Sequence, residues 1–95
     1  MEKIRLGIIG IGNMGSEHCR LILSGQTPEI ALTCVADPRQ DRRDWAQQTL
    51  PAGTGIYADG MSLIRAHACD AVLIATPHEL HPPLAEAALR AGLHL

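Results

Sequence analysis

The sequence predicts an α/β fold, a doubly wound parallel sheet, partial, of about five strands with the last one truncated. Three observations predict it. Short β-rich runs alternate with helical patterns of roughly ten residues, the mark of successive βαβ units. The only aromatic residues are Trp45 and Tyr57, so the core must be built from Ile, Leu, Val and Ala, the residues of parallel sheets covered by helices. Residues 70–75 are nearly continuous in apolar side chains, as a strand buried on both faces should be.

Each element follows in order. Lys3 to Ile9 is the first strand, stopped by a glycine cluster. Met14 to Ser24 follows with helical spacing at Met14, His18, Leu21 and Ile22, and Gly25 stands where a left-handed C-terminal residue is wanted. Ala31 to Ala36 is the second strand, ended by Asp37-Pro38, where proline removes a ladder donor. A polar helix over Gln40 to Thr49 leads to a short third strand, Gly55-Ile56-Tyr57. Asp59 can cap the next helix, whose apolar face is Met61, Ile64 and Ala68. The strand at Asp70 to Ala75 ends in Thr76-Pro77. Pro82 and Pro83 suit the first turn of a last helix running to Ala91, because N–H groups there need no partner, and Gly92 closes it. Leu93-His94-Leu95 then starts a fifth strand, inside which the chain stops.

Ninety-five residues bound the chain to one domain, 1–95, and an incomplete one if the fold is large. With 46% hydrophobic and 19% charged residues, the composition sets aside disordered, collagen-like and coiled-coil chains. Eight Lys+Arg against ten Asp+Glu give a net charge of −2, and no basic run or aromatic ladder offers a platform for nucleic acid. The first apolar stretch is broken by Arg5 and Gly7, which reads as neither signal peptide nor membrane span. Cys19, Cys34 and Cys69 are odd in number, widely spaced and lack a C-x-x-C pair. They read as reduced core thiols of a cytoplasmic protein.

The chemistry lies in Gly10-Ile11-Gly12-Asn13-Met14-Gly15, a G-x-G-x-x-G string. The string alone is short and weak; its context strengthens it. It follows a predicted strand, opens a predicted helix, and is followed by an acidic residue, Asp37, 22 positions after Gly15 at the end of the next strand. Gly10 permits the tight turn, Gly12 lets backbone amides approach a pyrophosphate, and Gly15 lets helix and sheet pack closely. A phosphate would then sit on unpaired N–H groups at a helix N-terminus. The competing reading is a glycine-rich turn that binds nothing.

Asp37 is placed to accept both hydroxyls of an adenosine ribose, which favours NAD over NADP. Arg39 could instead pair with a 2′-phosphate, so NADP stays open, while Arg42 and Arg43 read as a solvated helix face. In a sheet of order 3-2-1-4, the crevice at the carboxyl ends of strands one and four is lined by Gly10 to Gly15 and by Thr76, Pro77 and His78. His81 could exchange a proton with a substrate or could cap the last helix. The cluster His78-Glu79-Leu80-His81 lacks the i, i+4 spacing of a helical metal pair, so no metal is expected. His18 reads as a packing residue.

With these blocks in view, the chain resembles the N-terminal NAD(P)-binding Rossmann domain of the Gfo/Idh/MocA oxidoreductase family across essentially its whole length. The blocks are Lys3-Ile4-Arg5 leading into Gly10 to Gly15, Ala36-Asp37-Pro38, Asp70 to Pro77, His81, and Ala87 to His94. The resemblance implies a dehydrogenase moving hydride between NAD(P) and a sugar, polyol or related small molecule. It also implies a following Glu-Lys-Pro motif whose lysine acts near the reacting hydroxyl. Beyond that it implies a C-terminal domain forming much of the substrate pocket and commonly a homo-oligomer interface. His78 stands where many members carry asparagine. On this reading the chain is the cofactor half, cut before the catalytic lysine, and inactive by itself. Two other classes compete: a non-catalytic dinucleotide-binding regulatory module, and an S-adenosylmethionine methyltransferase with its own glycine loop.

Overall fold

The structure, a computed structural model, describes residues 3–76 and 81–94. Its strands are β1 (Ile4–Ile9), β2 (Ile30–Ala36), β3 (Gly55–Tyr57) and β4 (Ala71–Ile74). Its helices are α1 (Asn13–Leu23), α2 (Gln40–Thr49), α3 (Gly60–Arg65) and α4 (His81–Arg90). The strands form one parallel sheet in the order β3-β2-β1-β4, as the alternating pattern predicts. Beyond β4, His94 forms a single parallel bridge with Ala71, its N–H donating to the Asp70 carbonyl at 3.0 Å. That is where the fifth strand is expected to begin; Leu95 lies outside the described residues.

Alternation along β1 and β2 sends side chains to opposite faces, and two apolar clusters result. On one face Ile8, Ile11 and Val35 pack with Cys19 of α1, Ala46 of α2 and Leu50. On the other, Ile9, Cys34, Ala36 and Val72 pack with Leu63 and Ile64 of α3 and Leu84 and Ala88 of α4. The sheet is therefore covered on both sides, which is why its central strands read as apolar runs. Its register slips by one residue between Leu6 and Gly7, leaving Thr33 bulged. The Thr33 hydroxyl donates to the Ala68 carbonyl at 2.8 Å.

Cys19, Cys34 and Cys69 are free and buried, as their apolar settings predict. Gly7 lies between two of them: a Cβ there would be 2.9 Å from Cys34 Sγ and 3.1 Å from Cys69 Sγ. Bulk at position 7 is excluded by sulfur.

Helix ends follow the sequence signals closely. Asp59 caps α3 by accepting the Ser62 N–H at 2.8 Å, and that bond holds its carboxyl below the usual carboxylate range. Gly92, at φ +81°, closes α4 with Leu93 N–H donating to Ala88 and Gly92 N–H to Leu89, a Schellman arrangement. Two expectations need correction. Helix α3 stops at Arg65, so Ala68 packs against the core from a turn rather than from the helix. The cause is local: the Ala66 N–H bonds both Ser62 and Leu63 carbonyls, tightening the last turn, and His67 turns left-handed at φ +52°. Helix α1 presents Gly15 and Cys19 to the sheet, whereas Met14 and Leu21 stay exposed. Small residues win that face because the helix must lie close to the glycine turn.

Candidate functional site

The turn between β1 and α1 is shaped by its glycines. Gly10, at φ +93°, donates its N–H to the Ala36 carbonyl at 2.7 Å, and a Cβ there would meet the Ala75 backbone at 3.0 Å. A Cβ at Gly15 would fall on the Gly10 carbonyl oxygen, so α1 can rest on its own leading turn only without one. Gly12 differs: nothing but the guanidinium of Arg42 approaches its missing Cβ. Gly12 is the N-cap of α1 and offers no side-chain cap, and the first turn carries no acidic residue. An anion seated there would meet uncapped amides and the positive end of the helix, with no Cβ at Gly12 to hold it off. The niche thus fits a diphosphate.

At the end of β2, Asp37 is the only buried charged side chain among the described residues. Its Oδ2 accepts the Ile11 N–H at 3.0 Å and its Oδ1 accepts the Arg39 N–H at 2.9 Å. Each carboxylate oxygen retains lone-pair capacity for a further donor, such as a hydroxyl.

Arg42 and Arg43 depart from the expectation of a solvated helix face. Arg42 is half-buried and donates to the Ile11 carbonyl at 3.3 Å, which lays its guanidinium across Gly12. Arg43 is half-buried too and donates to the Asp37 carbonyl at 2.8 Å. Arg39 is the exposed one, paired in a two-bond fork with Asp41.

Two cavities flank the strand ends. One of about 550 Å³ is lined by Gly12, Asn13, Met14, His18, Leu73 and Thr76, among others. The other, about 310 Å³ and largely apolar, lies on the opposite face beside Ile9, Ala36, Pro38, Asp59 and Thr76. Thr76 lines both. His18 therefore borders the crevice rather than only packing in α1; the signal for this is its i, i+4 relation to Met14. A wider recess of about 720 Å³ lies away from the glycine turn, under Gln40, Leu50 and Thr54. Its lining comes from α2, β3 and the segment between them. Of the remaining expected site residues, Asn13 and Met14 are exposed at the helix start, whereas Pro77 and His78 lie outside the described residues. His81 opens α4 by its backbone, but the roles expected of its side chain lie outside what is described. No described helix is long and apolar enough to cross a membrane.

A glycine turn feeding an uncapped helix, on a parallel sheet of order 3-2-1-4, defines the dinucleotide-binding class of α/β domain. Residues 4–95 match the description "Oxidoreductase family, NAD-binding Rossmann fold" of the Gfo/Idh/MocA family, and the chain belongs to that family. It is 35% identical over 95 residues to inositol 2-dehydrogenase 4 of Saccharopolyspora erythraea, an overlap of 97% of this chain and 27% of that protein. To a glycosyl hydrolase family 109 protein of the same organism it is 34% identical over 102 residues, 99% of this chain and 22% of that one. It superposes on scyllo-inositol dehydrogenase of Lactobacillus casei, a crystal structure with bound NAD(H) and scyllo-inositol. There the TM-score is 0.88 at 28% identity, over 98% of this chain and 27% of that one. The chain thus spans between 22% and 27% of the length of these curated relatives.

Proposed function

We propose that this chain is the NAD-binding part of a dehydrogenase that moves hydride between the nicotinamide and a hydroxyl-bearing carbon of a sugar, an inositol or another polyol. The observation that carries the reading is the bare Gly12 at an uncapped helix N-terminus, beside a buried Asp37. On this reading the residues from Gly10 to Gly15, namely Gly10, Ile11, Gly12, Asn13, Met14 and Gly15, receive the pyrophosphate. Asp37 accepts ribose hydroxyls, which disfavours a 2′-phosphate. Arg42 adds a cation beside the phosphates, and Arg39 would have to leave Asp41 to do the same. Thr76, with Pro77 and His78, borders the path toward the nicotinamide. When bound, the nicotinamide supplies the hydride acceptor or donor; these residues bind and orient it.

The substrate class rests on the family and on the inositol dehydrogenases among its relatives. The match to a glycosyl hydrolase family 109 protein favours glycosides as a second class. Net formation of NADH separates the two, since hydrolysis leaves no reduced cofactor behind. The matched region is the Rossmann part of longer relatives, so cofactor binding is the activity on which this reading is tested. Three free buried thiols fit a reducing compartment such as the cytoplasm.

Trp45 is half-buried on α2 beneath the Arg20 guanidinium, 5.7 Å from its ring, and packs against the apolar cluster that includes Ile11 of the turn. Titration with NADH should change Trp45 fluorescence or raise the melting temperature. A folded chain that responds to neither NADH nor NADPH removes the reading.

A further inference from the structure

We propose that Asp37 is a positioning residue for the glycine turn itself, holding residues 10–12 in their anion-receiving shape before any ribose arrives. The idea rests on the dinucleotide reading above and adds a second role to a residue expected only to contact ribose.

The support is geometric. Asp37 is 8% exposed, and its two carboxylate oxygens are engaged by main-chain donors from two separate segments. Ile11 N–H comes from the β1–α1 turn at 3.0 Å, and Arg39 N–H from the β2–α2 turn at 2.9 Å. The residue that makes this bridge is itself anchored: its N–H donates to the Tyr57 carbonyl at 3.2 Å and its carbonyl accepts Arg43 Nη1 at 2.8 Å. Ile11 is 2% exposed, so without Asp37 its N–H would be a donor stranded away from water. A buried amide without an acceptor is expensive, and the chain moves to find one when it can. Here it can, because Ile11 lies between two glycines that have the conformational freedom to follow. The carboxylate suppresses that freedom.

A consequence concerns cofactor choice. Removing Asp37 to admit a 2′-phosphate also releases the turn that grips the pyrophosphate common to NAD and NADP. Specificity at this position therefore cannot be exchanged by deletion alone; a replacement acceptor for Ile11 N–H is needed.

The test pairs amide hydrogen exchange of the ligand-free protein with titrations of ADP and 2′,3′-dideoxy-ADP, which lacks both ribose hydroxyls. In Asp37→Ala, exchange at Ile11 and Gly12 should rise roughly tenfold or more, with Val35 and Val72 unchanged. Dideoxy-ADP should bind about tenfold more weakly than to the parent, although the variant has lost a negative charge that opposes a diphosphate. Asp37→Asn keeps one acceptor and should fall between. Unchanged exchange at Ile11, or dideoxy-ADP bound equally or more tightly by Asp37→Ala, overturns the proposal. So does uniform acceleration at Val35 and Val72 in both variants, which would mark a general loss of stability. If the unaltered protein binds neither ADP nor NADH, the dinucleotide reading fails, and the exchange measurement still decides the role of Asp37.

Discussion

Gly15 stands so close to the Gly10 carbonyl oxygen that a Cβ on the first would occupy the place of the second. The helix and the turn that launches it are in direct backbone contact. Gly15→Ala must therefore push α1 off the sheet, and about 2 kcal/mol or more of stability should go with it. Urea denaturation measures the loss; an unchanged midpoint would show that the contact is not tight.

Gly12→Ala should behave in the opposite way. Only the far end of Arg42 opposes a Cβ there, and the residue's φ of −69° suits any side chain. Stability should fall by about 1 kcal/mol or less, the difference between glycine and alanine as an N-cap. Affinity for NADH should fall at least about tenfold, because the methyl group stands where the phosphates must approach. Calorimetric titration beside the same urea experiment separates the binding glycine from the packing one.

Much of this was legible in the sequence, for reasons that can be named. β3 and α2 begin and end where turn and apolar signals place them, and Asp59 and Gly92 cap their helices as those residue types should. Apolar periodicity misjudged α1, because it favours large residues such as Met14 and Leu21 when the contact is made by Gly15 and Cys19. The site was readable as a string of glycines and one acid. The return of Arg42 to Gly12, and the bond from Ile11 to Asp37, depend on how two turns meet in space. No local pattern encodes that meeting.

The buried thiols give the fold an alkaline limit. Burial pushes Cys19 up to about 11 and Cys34 up to about 12 from the usual 9.0, and raises Cys69 as well. Above pH 9 the unfolded chain releases these protons while the folded chain keeps them. The stabilisation is whole below that pH and is lost as pH climbs toward the folded values, by up to about 1.4 kcal/mol per unit for each thiol. Urea midpoints measured at pH 8 and pH 10.5 should show the fall, and Cys34→Ala should reduce it. A flat profile would mean that the thiols titrate freely.

His67 should accept glycine gladly. It is the only described residue other than glycine with positive φ, and it ends α3 in the left-handed region at +52°. His67→Gly removes the Cβ penalty there and should raise stability by about 0.5–1 kcal/mol. A melting temperature that drops instead would point to a contact of the imidazole that outweighs the backbone gain.

Thr76 forms part of the wall of both cavities, one on each side of the sheet's end. A partition shared in this way ties two compartments to one side chain: bulk that narrows the first also intrudes on the second. A substitution at position 76 therefore reshapes both compartments at once and neither by itself.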